Sequence, residues 1–158
     1  MSAAPSGWAA VLAFPAMHVG LRTDGGLLTQ IAYLPRSISV RAPRDALAER
    51  AARQIERYRD DADARFDLPL AFAGTPFRRR VWAQIAAIPR GRTRSYGELA
   101  GELGSAARAV GQACGANFFP LVIPCHRVVA ASGLGGFAHH QDGFHLRVKR
   151  WLLAHEAR

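Results

Sequence analysis

Residues 74–76 read Gly-Thr-Pro, and the local structure the chain can form changes there. Before this point the apolar residues come in short stretches of strand type. These are "WAAVLAF" (8–14), "MHVGLRT" (17–23) and "LLTQIAYLP" (27–35), with Asp24-Gly25-Gly26 as a turn between the last two. One amphipathic helix is predicted over 44–60, where Leu47, Ala51, Ile55 and Tyr58 share a face at spacings of four and three. The acidic "DDADARFD" reads as a loop and "LPLAFAG" (68–74) as a short strand. After Gly74 the signals are helical. Thr75 supplies a hydroxyl N-cap and Pro76 the first helical position. A helix then runs through "FRRRVWAQIAAI" (77–88), with Phe77, Val81, Ile85 and Ile88 on one face, and stops near Pro89. Ser95-x-x-Glu98 is a capping box opening "YGELAGEL" (96–103), which Gly104 ends. "SAARAVGQACGAN" (105–117) follows as a second helix, and two short helices across a glycine turn have the form of a helix-turn-helix. The expected organisation is a small-sheet-plus-helix α/β domain over 1–73 and a mostly α domain with a helix-turn-helix over 74–158. No internal repeat or low-complexity tract is present.

Charge divides at the same place. Residues 1–74 hold nine arginines against eight acids, whereas residues 75–158 hold twelve basic residues against four acids. Nearly all of the net charge of +9 therefore sits in the second half, and Lys149 is the one lysine among twenty-one basic residues. A basic half can be a plain solvated surface. An excess this one-sided is also the electrostatic footprint of a polyanion binder, and that reading is favoured. The helix over 105–117 adds to it. Ala106, Ala107, Ala109, Gly111, Ala113, Gly115 and Ala116 make it thin, and Arg108 is its one long cation. Thin helices usually serve close helix packing. This one also suits a minor groove, which is about 6 Å wide against about 12 Å for the major groove.

The two cysteines, Cys114 and Cys125, are too few for a disulfide framework or a four-ligand zinc site of cysteines and histidines. They point to a reducing compartment, the cytoplasm. "MSAAPSGWAAVLAFPAM" lacks a basic start and is broken by Pro15, so a first strand is favoured over a signal peptide. No stretch approaches the roughly 20 apolar residues of a membrane span.

In "LVIPCHRVVAASG" (121–133) a thiol stands next to an imidazole. Leu121–Ile123 read as a short buried strand that Pro124 ends, since proline cannot donate a ladder hydrogen bond. Neighbouring strand side chains point to opposite faces, so the chain must turn if Cys125 and His126 are to act together. The motive for such a turn is chemical. The nucleophile is the thiolate, a free thiol has a pKa of about 8.5, and an imidazole backed by a carboxylate can take the proton. A bare Cys-His pair is more often an inert buried thiol beside a surface histidine. The full string "IPCHRVV" is far more specific.

That string resembles the active-site signature of the O6-alkylguanine-DNA alkyltransferases, the methylated-DNA–protein-cysteine methyltransferases. "GTPFRRRVWAQIAAIPRGRTRSYGELAGELG" is similar to the family's entry to its DNA-binding domain, "ARAVGQACGAN" to its recognition helix, and "GLGGF" with "KRWLLAHE" to its C-terminal segment. The resemblance covers roughly residues 74–158; the first half matches in general plan only. It implies a ribonuclease-H-like first domain and a winged-helix-like second one. It implies Cys125 as the alkyl acceptor and His126 as its base, reaching through a water to Glu156. Asn117 takes the hinge position, and Tyr96 the place that contacts the backbone and the leaving guanine. Arg108 would enter the stack in place of the flipped base, with Ala107 beside it at the DNA. Arg127 is expected in a structural network and at the DNA. Gly133, Leu134, Gly136 and Phe137 would line the guanine pocket. No cofactor and no metal are implied, the zinc-site cysteines of some relatives being missing. The partner would be double-stranded DNA carrying alkylated guanine, with no membrane, and the protein a monomer.

Two departures stand out. Asn117-Phe118-Phe119 replaces the family's Asn-Pro, which is expected to loosen the turn. "AHHQDGFHLRV" (138–148) is longer than the usual link, and its His139, His140 and His145, with Asp142, read better as a pocket-rim loop than as metal ligands. Cys114 is expected to be a packing residue, with no second cysteine placed to resolve Cys125. A cysteine hydrolase would need an oxyanion hole and no helix-turn-helix. A DNA-binding regulator would leave "PCHRV" idle, and silent lesion binders of this kind typically replace the cysteine.

Overall fold

The computed structural model of the chain describes residues 7–135 and 143–158. It separates into two compact units, Met1–Phe72 and Ala73–Arg158. The whole is a mixed α/β protein.

In the first unit, strands β1 (Ala10–Ala13), β2 (His18–Asp24) and β3 (Leu27–Leu34) form an antiparallel sheet in sequence order. The turn at Gly25-Gly26 joins β2 to β3. Helix α1 (Ala46–Asp60) begins at Asp45, whose carboxylate accepts from the Ala48 amide at 2.7 Å. Ala48, Ala51, Ala52, Ile55 and Tyr58 are buried, and α1 packs against all three strands. Ile55 alone contributes roughly 1.5–3 kcal/mol by leaving water. The stretch predicted as a strand over 68–74 is instead a single bridge, Leu28 to Leu70. Pro69 has no amide to extend a ladder.

In the second unit, α2 (Pro76–Ala86), α3 (Tyr96–Leu103) and α4 (Ala107–Gly115) pack together around Val81, Ile85, Leu99, Leu103, Val110 and Ala113. Thr75 caps α2, and the Ser95–Glu98 capping box opens α3 with both of its hydrogen bonds made. Gly104 ends α3 in the left-handed conformation at φ 64°. The Trp82 indole donates to the Ala113 carbonyl at 2.8 Å, tying α2 to α4. Two short strands, β4 (Arg94–Ser95) and β5 (Val128–Val129), pair in parallel, and α5 (Gly143–Glu156) packs on the turn between Cys125 and Arg127. Among the described residues no helix is long and apolar enough to cross a membrane.

Candidate active site

The predicted strand over Leu121–Ile123 does not form. Leu121 and Ile123 are buried, but the backbone turns there, and Leu121 takes a positive φ of 78°. That conformation costs roughly 1–2 kcal/mol in a residue with a Cβ, so something must hold it. Asn117 does. Its Nδ2 donates to the Ile123 carbonyl at 2.9 Å, and its Oδ1 accepts from the Phe119 amide at 2.8 Å. The second of these is a local turn that needs an amide two residues on, which Phe119 supplies. The replacement of Asn-Pro by Asn117-Phe118 therefore leaves this turn closed, with Phe119 buried and Phe118 exposed.

After Pro124 the chain makes one 3-10 turn, Cys125–Arg127, before entering β5. Cys125 is only 5 % exposed. Asn117 Nδ2 also lies 3.2 Å from Cys125 Sγ, so one amide holds both the turn and the thiol.

His126 and Glu156 are buried side by side, 0 % and 1 % exposed. The imidazole Nε2 lies 2.7 Å from Glu156 Oε2. The water expected between them is not needed, because α5 brings its last residue directly against the turn. Nδ1 of His126 is buried and makes no hydrogen bond among the described residues. Burial disfavours the imidazolium and outweighs the pull of the Glu156 carboxylate, so the His126 pKa is held below its ordinary value. A neutral ring whose Nε2–H donates to Glu156 leaves Nδ1 as a free acceptor.

Arg127 takes the structural, network place expected of it. Its Nε donates to Glu156 Oε1 at 2.9 Å and its Nη2 to Oε2 at 3.0 Å, while Nη1 donates to the Ile88 carbonyl at 2.6 Å. The guanidinium is committed to a buried two-point clamp, because an isolated carboxylate at Glu156 would be costly to desolvate. Arg90 fixes the same helix end, donating to the backbone carbonyls of Glu156 at 2.6 Å and Arg158 at 3.2 Å. The Glu156 carbonyl is one that the last turn of α5 itself leaves without a partner.

Tyr96 opens α3 beside β4, and the β4–β5 pairing sets Ser95 opposite Val129. This carries the phenol toward the Cys125 turn. Burial raises the Tyr96 pKa well above its ordinary value, and negative charge on Cys114 or Cys125 raises it further, so it stays a hydrogen-bond donor. Its ring lies against Gly135. A Cβ there would come within 3.2 Å of both Tyr96 Cε2 and the Ala130 amide nitrogen, and Gly135 has a positive φ of 72°. Only glycine fits both demands.

Lys149 is the residue that sequence reasoning missed. It is completely buried, and its Nζ donates to the Val128 carbonyl at 2.7 Å and to the Leu134 carbonyl at 2.6 Å. Nζ also sits 6.0 Å from the centre of the Tyr96 ring. Burial pulls its pKa down to about 8. Lys149 therefore joins β5 to the segment leading into the predicted pocket lining. Its being the chain's one lysine was the available signal. Of that lining, Leu134 is half-buried and Gly133 exposed, while Gly136 and Phe137 lie outside the described residues, as do His139, His140 and Asp142. Cys114 is close to Cys125: the Cys125 thiol lies 3.8 Å from the Cys114 carbonyl.

Arg108 and Ala107 are exposed in the first turn of α4. Ala106 gives that turn no side-chain cap. The structure thus brings the Asn117–Cys125 contact and the buried His126–Glu156 pair together at one turn, sets Tyr96 beside it, and leaves Arg108 at the surface.

Comparison with known proteins covers this whole assembly. The family described as 6-O-methylguanine DNA methyltransferase, DNA binding domain, matches residues 76–158. The Salmonella typhimurium regulatory protein ada is 41% identical over 138 residues, 85% of this chain and 37% of that protein. The methylated-DNA–protein-cysteine methyltransferase of Salmonella typhimurium is 49% identical over 92 residues, 56% of this chain and 51% of that one. The chain thus spans about half or less of the length of these curated relatives. The crystal structure of Mycobacterium tuberculosis OGT in complex with DNA superposes with a TM-score of 0.75 at 37% identity, covering 93% of this chain and 91% of that one. With the matched region taking in Tyr96, Arg108, Asn117, the Cys125 turn and the Glu156 helix end, the chain belongs to the 6-O-methylguanine DNA methyltransferase family.

Proposed function

We propose that this protein repairs DNA by moving a methyl or other alkyl group from O6 of guanine, and less readily from O4 of thymine, onto Cys125, once per molecule. The observation that carries this reading is the buried pair made by Glu156 of α5 and His126 of the Cys125 turn, with His126 Nδ1 left as an acceptor. In this reading the Cys125 proton passes to that imidazole by way of a water, the two making no direct hydrogen bond, and Glu156 stabilises the cation that results. The sulfur then attacks the alkyl carbon as the carbon–O6 bond breaks. Asn117 Nδ2, 3.2 Å from the sulfur, orients it. Tyr96, held protonated, donates to the departing guanine. Displacement at an sp3 carbon needs no oxyanion hole and no cofactor.

The base must leave the helix to reach a thiol this buried, which costs a few kcal/mol of unstacking. In this reading α3 and α4 act as a winged-helix-like helix-turn-helix, α4 enters the minor groove, and Arg108 fills the gap left by the base. The basic residues of 75–158 supply phosphate contacts that weaken with salt. The DNA held by the Mycobacterium tuberculosis protein supports a DNA partner here. The same reading takes residues 1–73 as a ribonuclease-H-like domain, and the protein as a cytoplasmic monomer.

The test is incubation with duplex DNA carrying radiolabelled O6-methylguanine. Label is expected on Cys125, in a one-to-one limit. Label that stays on the DNA, or moves equally well to a Cys125→Ala variant, overturns the reading.

A further inference from the structure

Sequence reasoning placed Cys114 in the packing of α4, with no thiol near enough to resolve Cys125. The structure buries Cys114 in α4 as expected, and it also brings the Cys125 turn against that residue. Both cysteines are free and buried, and the Cys125 thiol lies 3.8 Å from the carbonyl of Cys114, across eleven residues of chain. The Cys114 side chain is itself buried, on α4. The acceptor chemistry uses one of these thiols and has no use for the other. The neighbours offer no third ligand either: among the described residues no three histidine, cysteine or acidic side chains gather into a metal site.

We propose that Cys114 is a resolving cysteine, closing a reversible Cys114–Cys125 disulfide when peroxide oxidises the acceptor thiol. In the first step the Cys125 thiolate attacks a peroxide oxygen and the O–O bond breaks. Sulfur is oxidised to the sulfenic acid, and hydrogen peroxide is reduced to hydroxide. In the second, the Cys114 sulfur attacks the Cys125 sulfur. The S–S bond forms as the S–O bond breaks, and the Cys114 proton leaves with the hydroxyl as water.

The environment favours this order. Cys114 is held as a thiol well above its ordinary pKa, first by its hydrogen bond with Cys125, then by burial, then by negative charge on Cys125. Oxidation of Cys125 to the neutral sulfenic acid removes that charge, which eases ionisation of Cys114 at the moment it is needed. In a reducing compartment such a bond is transient, so the effect is protection. Sulfenic acid goes on irreversibly to sulfinic acid, whereas the disulfide returns both thiols on reduction. The consequence for repair rests on Cys125 being the alkyl acceptor; the bond itself does not.

Residues 109–127 contain no lysine or arginine before Arg127, so both thiols fall in one tryptic peptide. The reduced full-length protein is treated with hydrogen peroxide, blocked with N-ethylmaleimide and digested without reductant. The wild type is expected to give a peptide two hydrogen atoms lighter that carries no maleimide. Dithiothreitol should restore both maleimide sites and labelled-alkyl acceptance. Cys114→Ser should instead accumulate sulfinic acid on Cys125, with acceptance lost and not recovered. Cys114→Ala serves the same purpose if the buried hydroxyl impairs folding. The proposal is overturned if the lighter peptide is missing, or if wild type and both variants lose and recover acceptance alike. A lighter peptide in a protein that accepts no alkyl group refutes the repair reading alone. Alkyl acceptance without the lighter peptide refutes the disulfide alone.

Discussion

Removing the charge on Glu156 should unsettle the whole C-terminal unit, and a double-mutant cycle with Arg127 can isolate the reason. The carboxylate is 1% exposed and takes hydrogen bonds from Arg127 Nε at 2.9 Å, from Arg127 Nη2 at 3.0 Å and from His126 Nε2 at 2.7 Å. Glu156→Gln keeps the shape but turns one acceptor into a donor, which then faces donors. At least one charged hydrogen bond is lost, about 1.5–3 kcal/mol, and the Arg127 charge is left with half its partner. Breaking a buried pair by disabling one member costs roughly 3–5 kcal/mol, a large part of a typical domain's 5–15 kcal/mol. Arg127→Met strands the carboxylate in the same way and should cost about as much. The double variant removes both charges, so its cost should fall short of the sum by about 2 kcal/mol or more. Urea unfolding followed by the fluorescence of Trp82 and Trp151 measures all four corners. Costs that add to within about 0.5 kcal/mol would refute the buried clamp. The kinetics should split too. Glu156→Gln removes the group that fixes the His126 tautomer, so it should slow alkyl transfer more than Arg127→Met, which keeps the His126–Glu156 bond.

Asn117→Ala loses donors to Ile123 and Cys125 and the acceptor for Phe119; at roughly 1 kcal/mol each the unit should lose about 3 kcal/mol, and transfer should slow even where the variant is fully folded. A variant with unchanged unfolding and unchanged rate would remove Asn117 from the site. Arg108→Ala touches an exposed side chain and should shift stability by less than about 0.5 kcal/mol. It should slow reaction with duplex DNA more than reaction with free O6-benzylguanine, and equal losses would argue against a role in extruding the base. Lys149 has a folded pKa of about 8 against an ordinary 10.5, so between these values the unfolded chain binds more protons. Stability from this group is therefore present at high pH and lost as pH falls toward 8, by about 3 kcal/mol in all. Urea midpoints should show wild type gaining on Lys149→Met as pH rises through that window; a difference that stays flat refutes the assignment.

What could be read from the sequence was set by neighbours along the chain. Thr75-Pro76, the Ser95–Glu98 capping box, Gly104 and the Gly25-Gly26 turn each act within about four residues, and each stands where it was expected. The Cys125, His126, Asn117 and Glu156 grouping was legible through the family's signature, not through periodicity. Local pattern failed where distant groups decide. Leu121–Ile123 has the apolar, β-branched look of a buried strand, but the Asn117 side chain takes the Ile123 carbonyl and bends the backbone instead. The network role expected of Arg127 had no named partner until α5 brought Glu156 against it from 29 residues away. Lys149 stood out only as the one lysine, because its partners, the carbonyls of Val128 and Leu134, are backbone atoms that no side-chain pattern marks. The nearness of Cys114 to Cys125 follows from the same folded-back turn. The sequence by itself determined the caps, the turns and the ends of the capped helices, and marked Cys125 as the candidate nucleophile, since caps, turns and a contiguous motif are short-range. Only the tertiary structure decided which charges are buried together and which backbone carbonyl, that of Cys114, lies against the Cys125 thiol. Those depend on the cost of leaving a charge or a polar backbone group without a partner once water is gone.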